Sequence, residues 1–261
     1  MKTLGFIGTG NMGGALARAA SRNKENRLLL YNRHAEKAKK LCAEIGGSVT
    51  DQASVVAGAD YLFLGVKPVM LPTLAETLGS QLAVREGRII LVSMIAGVDI
   101  AKLQETLGGA YPVIRIMPNT PVSVGEGMIL YCCSTDITAE EESCFLSARS
   151  ASGRFLKLEE RLIDAGMGVS GCGPAFVDLF VEALSDAAVA CGMPRADAIT
   201  LAAQMTLGSA KLILESGKHP AELKDAVCSP GGTTIQGVRK LEEKGFRSAI
   251  IEAVLATCGK L

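Results

Sequence analysis

The sequence predicts an α/β fold in which an N-terminal, doubly wound sheet of the Rossmann type precedes an all-helical C-terminal domain. Short apolar and β-branched runs alternate with amphipathic stretches as far as about residue 160, and the strand pattern then stops. Repeated strand–helix order favours parallel strands joined by helical crossovers. We therefore place a domain boundary near Arg161, which gives domains over residues 1–161 and 162–261.

The elements of the first domain follow from this alternation. Strands are predicted at residues 2–8, 27–31, 47–49, 60–66, 88–94, 112–117, 127–132 and 153–158. Helices are predicted at residues 11–21, 35–45, 52–57, 69–79, 100–107 and 139–151. The last helix has the clearest start, because Thr138 and Glu141 have the spacing of a capping box.

The second domain is predicted to contain helices at residues 175–191, 194–216, 220–227, 233–244 and 247–257. The first of these helices is apolar nearly all round, since Asp178, Glu182 and Asp186 lie on one narrow stripe. A helix of that kind must be buried on nearly all sides, which one small helical domain cannot easily achieve. Burial against a second copy predicts a homodimer, with this region as its dimerisation domain. Packing against the first domain alone is the alternative.

Composition excludes several classes of protein. Lys+Arg and Asp+Glu both number 27 and aromatic residues make up 4%, so a nucleic-acid partner is not expected. No apolar run approaches the roughly 18 residues that span a bilayer, and the N-terminus lacks the pattern of a signal peptide. We therefore expect a cytoplasmic protein with no membrane partner. The eight cysteines form no C-x-x-C pair, which predicts free, mostly buried thiols and no metal site.

A glycine-rich loop follows the first predicted strand and opens the first predicted helix. Gly8, Gly10 and Gly13 match the dinucleotide fingerprint, in which they form the turn, admit a pyrophosphate to the backbone and let the helix pack closely. An ordinary tight turn is the alternative. The cofactor-binding residues predicted here are Ile7, Gly8, Thr9, Gly10, Asn11 and Met12.

The end of the second strand indicates which dinucleotide is bound. Asn32 and Arg33 stand where an NAD enzyme usually has an acidic residue for the ribose 2′-hydroxyl. Because a guanidinium suits a 2′-phosphate, we expect NADPH, with NADH as the weaker alternative; Arg33 could also be a solvated loop residue. Ligands bind outside the carboxyl ends of such strands. Later loops therefore add further cofactor-binding candidates, at Val66, Lys67, Pro68, Met94, Ile95 and Ala96.

A junction between two helices near the C-terminus suggests an anion site. Ser229 begins a Ser-Pro-Gly-Gly turn, and the next helix starts with Thr233 and Thr234. Open amides beside hydroxyl groups suit a carboxylate, although a capped turn explains the pattern equally well. A ketone reductase usually needs His, Lys or a Tyr-x-x-x-Lys pair as proton donor. No tyrosine here has Lys four residues on, so reduction of an imine, which mainly requires orientation and one hydroxyl, fits better.

The chain resembles the pyrroline-5-carboxylate reductases over essentially its whole length. The motifs that carry the resemblance are GFIGTGNMG at 5–13, VKP at 66–68, RIMPNTP at 115–121, SGCGPA at 170–175 and DAVCSPGGTT at 225–234. The resemblance implies NADPH-dependent reduction of the C=N bond of 1-pyrroline-5-carboxylate to L-proline, the last step of proline biosynthesis. It also implies homodimers, which several members assemble into decamers.

The resemblance further implies roles for particular residues. The substrate carboxylate would lie on the turn, and Thr234 would hydrogen-bond the ring nitrogen as the catalytic residue. The implied substrate-binding residues are Glu160, Ser229, Gly231, Gly232, Thr233 and Thr234. Gln52 would lie near the cofactor, where many members have Asn, and Cys172 stands where Ser is common.

Two other functions are weighed against this one. A β-hydroxyacid dehydrogenase shares the domain order, but Val177 stands where that family has its Lys. A regulator that senses NADP(H) without turnover is the second alternative, and steady oxidation of NADPH on adding the imine would eliminate it.

Overall fold

Eight strands form one sheet in this computed structural model, which describes residues 2–259. The strands are β1 (Lys2–Ile7), β2 (Asn26–Tyr31), β3 (Ser48–Val49), β4 (Tyr61–Leu64), β5 (Ile90–Ser93), β6 (Val113–Met117), β7 (Gly127–Cys133) and β8 (Gly153–Lys157). Their order across the sheet is β3-β2-β1-β4-β5-β6-β7-β8. All eight strands lie close to their predicted positions, so the predicted Rossmann-type sheet is confirmed.

Two strands depart from the predicted parallel sheet. β7 pairs antiparallel with β6, and β8 is parallel to β7. The connection from β6 to β7 is a short 3₁₀ turn at Thr120–Val124. A parallel neighbour needs a crossover of about a dozen residues or more, so this short connection forces the chain to reverse.

Seven helices accompany the sheet within the described residues of the first unit. They are α1 (Asn11–Ser21), α2 (Ala35–Ile45), α3 (Gln52–Gly58), α4 (Leu71–Ala83), α5 (Ile100–Leu107), α6 (Ala139–Ala148) and α7 (Ile163–Ser170). Both faces of the sheet are buried: Leu62 belongs to one apolar layer, and its neighbour Phe63 belongs to the other. The predicted capping box of Thr138 and Glu141 is present at the start of α6.

The predicted elements do not include α7, which packs on the sheet. Ile163 is fully buried, and a Cβ at Gly166 would overlap the side chain of Leu130 in β7. The described residues divide into two compact units between Gly171 and Cys172. This division lies beyond the boundary predicted near Arg161, because α7 belongs with the sheet.

The second unit consists of helices with almost no core of their own. They are α8 (Gly173–Ala190), α9 (Arg195–Ser216), α10 (Pro220–Ala226), α11 (Thr233–Glu243) and α12 (Phe246–Thr257). Among residues 172–259, only Ser185, Ala198 and Ala202 are buried, whereas Leu179 is 66% exposed. All five helices were predicted, and the apolar surface that they leave bare is what burial against a second copy requires.

The prediction that no apolar stretch is long enough to span a bilayer is wrong. The stretch Glu160–Ala190 is long and apolar enough to cross a membrane by length and composition alone, with an 18-residue window of mean hydropathy 1.3. Only 6% of that window is buried within the described chain. The stretch was not predicted, because its small and apolar residues are interrupted by single polar ones and do not form one continuous run.

The cysteines are free, but they are not mostly buried as predicted. Cys132 is buried and Cys191 is exposed, and the other six are intermediate. Four of the eight lie in the second unit, which buries few side chains. Among residues 2–259, no group of three or more His, Cys, Asp or Glu side chains is placed to hold a metal ion.

Candidate active site

The glycine loop lies where the strand order of the sheet reverses. β1 is flanked by β2 and β4, so a crevice opens at its carboxyl end. Gly8 has φ +97°, and a Cβ there would overlap the carbonyl oxygen of Gly65, just after β4. A Cβ on Gly10 would instead meet nothing within 4 Å. The backbone of Gly10 therefore borders open space that a ligand can enter.

The start of α1 offers unpaired polar groups to that space. Gly10 is the N-cap and provides no side-chain cap, so the first amides of the helix have no acceptor within it. Asn32 Oδ1 accepts the Thr9 N–H at 3.1 Å and fixes the loop to the end of β2. Thr9 Oγ1 is buried and has no hydrogen-bond partner among the described residues. The open amides at the start of α1 fit a bound pyrophosphate.

A cavity of about 480 Å³ runs from the loop across the ends of β2 and β4 to α4. The predicted cofactor-binding residues that line it are Ile7, Gly8, Asn32, Arg33, Gln52 and Val66. The lining residues that were not predicted from the sequence are Tyr31, Val69, Met70, Thr73, Leu74 and Thr77. The start of α4 so soon after β4 was the available signal, because helix starts at that edge face the crevice. The largely apolar wall suits an adenine ring.

The other predicted cofactor-binding residues lie outside the lining of this cavity. Lys67 is exposed and precedes a 3₁₀ turn at Pro68–Met70. Met94 is partly buried, Ile95 is 1% exposed and Ala96 is exposed. The buried side chain of Ile95 leaves its backbone as the part that can reach a ligand.

Gln52 has contacts beyond the cavity. Its amide nitrogen donates to Thr77 Oγ1 at 3.0 Å and to Gln81 Oε1 at 2.9 Å. Gln52 therefore ties α3 to α4 while facing the cavity, and the shape of that wall depends on it.

Glu160 belongs to the first unit and is held by two donors. Its Oε1 accepts the Ile100 N–H at 2.8 Å and lies 3.3 Å from Arg115 Nη1. The Cys132 thiol is close by, and burial, reinforced by the Glu160 carboxylate, raises its pKa to about 12. The thiol is therefore neutral at pH 7 and is unsuited to act as a base or nucleophile.

The second unit brings the predicted carboxylate-binding residues together in one turn. The Gly232 N–H donates to the Ser229 carbonyl at 3.0 Å, and Gly231 has φ +70°. The Ser229 hydroxyl lies against Gly232, because a Cβ there would overlap it. Gly232 is the N-cap of α11 and provides no side-chain cap, and Thr233 and Thr234 are exposed in its first turn. The junction was interpreted either as an anion site or as a capped turn between helices, and the uncapped helix start favours the anion site.

The crevice at the end of β1 and the glycine loop beside it define a dinucleotide-binding protein. A family model described as Pyrroline-5-carboxylate reductase dimerisation matches residues 160–261, and one described as NADP oxidoreductase coenzyme F420-dependent matches residues 3–97. A pyrroline-5-carboxylate reductase of Escherichia coli is 42% identical over 97% of this chain and 94% of its own length. The chain belongs to the pyrroline-5-carboxylate reductase family.

Two further proteins extend the comparison. Human pyrroline-5-carboxylate reductase 2 is 39% identical over 98% of this chain and 82% of its own length. The crystal structure of a Plasmodium falciparum pyrroline carboxylate reductase with NADP bound has a TM-score of 0.87 and 29% identity, covering 99% of this chain and 96% of that one. The fold is therefore shared along essentially the whole chain.

Proposed function

We propose that this chain reduces the C=N bond of 1-pyrroline-5-carboxylate to give L-proline, with NADPH as the preferred reductant. The observation that carries the proposal is the uncapped start of α11 behind the Ser229 turn, in a chain 42% identical to an Escherichia coli pyrroline-5-carboxylate reductase. NADPH held by the first unit would supply the hydride that the imine carbon accepts, and the ring nitrogen takes up a proton.

The first unit binds the cofactor in this proposal. The open amides of Asn11 and Met12 bind the pyrophosphate, and the space beside Gly10 admits it. Arg33, which lines the cavity near Asn32, pairs with the 2′-phosphate of NADPH. That phosphate is the difference between NADPH and NADH, so Arg33 sets the preference.

The second unit binds the substrate. The amides at the start of α11 and the Ser229 hydroxyl bind its carboxylate, and the positive end of the helix stabilises that charge. The Thr234 hydroxyl donates a hydrogen bond to the ring nitrogen and is the candidate source of its proton. Glu160 is the proposed substrate contact in the first unit. No histidine is needed, because an imine nitrogen is protonated readily near neutral pH.

The alternatives fit the chain less well. A β-hydroxyacid dehydrogenase needs its Lys in the helix that begins the second unit, and α8 contains no lysine. A sensor of NADP(H) would not need a second anion site. The dimerisation family match and the curated relatives favour the reductase over both.

The enzyme is a homo-oligomer in this proposal. A groove of about 720 Å³ between α8 and α9 contains none of the predicted site residues, and Leu179 and Ile199 line it. We propose that a second copy covers these helices to form a homodimer and that dimers assemble further into a decamer. We place the enzyme in the cytoplasm, with neither nucleic acid nor membrane as a partner.

An NADPH oxidation assay tests the function directly. Purified protein should oxidise NADPH on addition of 1-pyrroline-5-carboxylate and not on addition of a linear keto acid of the same length. NADH should support a lower kcat/KM. Absence of turnover at high enzyme concentration, with NADPH binding intact, would identify a sensor instead.

A further inference from the structure

The motif RIMPNTP at 115–121 has no part in the function proposed above, although it contains the most unusual residue of the sheet, Arg115. Arg115 lies in the middle of β6 between the buried Ile114 and Ile116, and it is 2% exposed. Burying a guanidinium carries a large desolvation cost, and a well-packed apolar residue at such a position is often at least as stable. Arg115 Nε is also buried without a hydrogen-bond partner among residues 2–259. Packing alone therefore does not account for this arginine.

The contacts of Arg115 converge on the proposed substrate residue. Its Nη1 lies 3.3 Å from Glu160 Oε1, and its Nη2 donates to Asp164 Oδ1 at 2.9 Å. The same Oε1 of Glu160 accepts the Ile100 N–H at 2.8 Å. Two donors thus hold one oxygen, whereas no described residue donates to Glu160 Oε2. The Glu160 side chain is 34% exposed, so its second oxygen is accessible.

The same motif also holds the far end of α7. Asn119 Nδ2 donates to the Ser170 carbonyl at 3.0 Å, and Asn119 Oδ1 accepts the Met128 N–H at 2.9 Å. Arg115 therefore fixes the segment before and within the first turn of α7, and Asn119 fixes its last residue. Glu160 is thereby anchored to β6 rather than free to swing with an exposed turn.

We propose that Arg115 is a positioning residue for the reduction: it holds Glu160 by Oε1 and so fixes Oε2, the oxygen that remains open to a substrate. A carboxylate oxygen suits the positive charge that the imine carries once its nitrogen is protonated. The inference rests on the proposed function, because Glu160 has this role only if the chain reduces the cyclic imine.

A double-mutant cycle tests whether Arg115 acts through Glu160. The variants are Arg115→Met, Glu160→Gln and the double variant, with Asp164→Asn as the matched control that removes the other partner of Arg115. Arg115→Met should lower kcat/KM for 1-pyrroline-5-carboxylate about 10- to 100-fold, the usual effect of misplacing a substrate contact. The Kd of NADPH, measured by fluorescence titration, should stay within about twofold, since coupling to a separate site is small. Asp164→Asn should retain the kcat/KM of the unmodified chain.

The decisive result is the behaviour of the double variant. If Arg115 acts through Glu160, the double variant is no slower than Glu160→Gln alone. If the losses of kcat/KM in the two single variants multiply in the double variant, the inference is overturned. A loss of NADPH affinity in Arg115→Met that parallels its loss of kcat/KM would also overturn it. Should Arg115→Met fail to fold, Arg115→Gln enters the same cycle, because its shorter, uncharged side chain removes the ion pair with Glu160 while it remains polar. An unmodified chain that does not turn over the imine refutes the proposed function, whereas turnover with independent effects refutes only the positioning role.

Discussion

Replacing Gly10 by Ala should separate cofactor binding from folding. Gly10 has φ −70° and ψ −164°, which any residue adopts, and its added Cβ would meet nothing within 4 Å. The folded protein should therefore lose about 1 kcal/mol or less, the cost of exchanging a glycine N-cap for alanine. The new methyl group would occupy the space through which the pyrophosphate approaches. We expect the affinity for NADPH to fall about 100-fold, which is about 2.8 kcal/mol.

Gly13→Ala is the matched control within the same loop. A Cβ at Gly13 would overlap the carbonyl oxygen of Gly8, and neither backbone can move freely. Overpacking of this kind costs about 1–3 kcal/mol. Each kcal/mol should lower the Tm by about 2–4 °C in a domain of this size.

Two measurements on both variants check this reasoning. Thermal unfolding without cofactor should show a clear fall in Tm for Gly13→Ala and little change for Gly10→Ala. Fluorescence titration should show the weakened NADPH binding in Gly10→Ala. An unchanged Kd in that variant, or a loss of Tm as large as that of Gly13→Ala, would refute the role assigned to the space beside Gly10.

Four further predictions concern other parts of the chain. Arg33→Asp should raise the KM for NADPH sharply and leave that for NADH nearly unchanged in steady-state assays; equal effects on both would remove the residue from the 2′-phosphate site. Thr234→Ala should lower kcat by about 10- to 100-fold, and a change confined to NADPH affinity would move it out of the substrate site. The Arg88 guanidinium holds the pKa of Glu141 at about 2 instead of 4.5, so this stabilisation is complete above pH about 4.5 and is lost towards pH 2. Urea unfolding of Glu141→Gln should show a flatter pH dependence across that window, and an unchanged profile would contradict the pairing. Leu207, 56% exposed on α9, should lie in the subunit interface, so Leu207→Glu should shift the protein to smaller species in size-exclusion chromatography, and an unchanged elution volume would place it outside.

Most of the secondary structure was predictable because it depends on local patterns. The alternation of apolar runs and amphipathic stretches gave all eight strands, and the Thr138 and Glu141 pair gave the start of α6. Strand direction was not predictable in the same way, since β6 and β7 have equally apolar patterns whichever way they run. The length of the connection between them decides the direction, and the short gap at residues 118–126 between the two predicted strands was the available signal.

In the candidate site, too, the parts formed by one continuous segment could be predicted, and the parts that only the fold brings together could not. The glycine loop and the Ser229 turn are continuous segments, so their residues reveal them directly. The wall of the cavity formed by Thr73 and Leu74 comes from α4, which the fold brings to the loop. Arg115 reaches partners 45 and 49 residues along the chain, and no spacing in the sequence indicates such a contact.

The two units differ in a way that links assembly to activity. The glycine loop at residues 8–13 belongs to a unit with apolar layers on both faces of its sheet. The Ser229 turn belongs to a unit in which only three described residues are buried. A binding turn keeps its geometry only if the helices that carry it are held rigidly. In the proposed homodimer, the second copy would supply the rigidity that the proposed substrate site lacks in one chain. It follows that a variant such as Leu207→Glu should lose turnover while it retains its affinity for NADPH, because only the unit without a core depends on the partner.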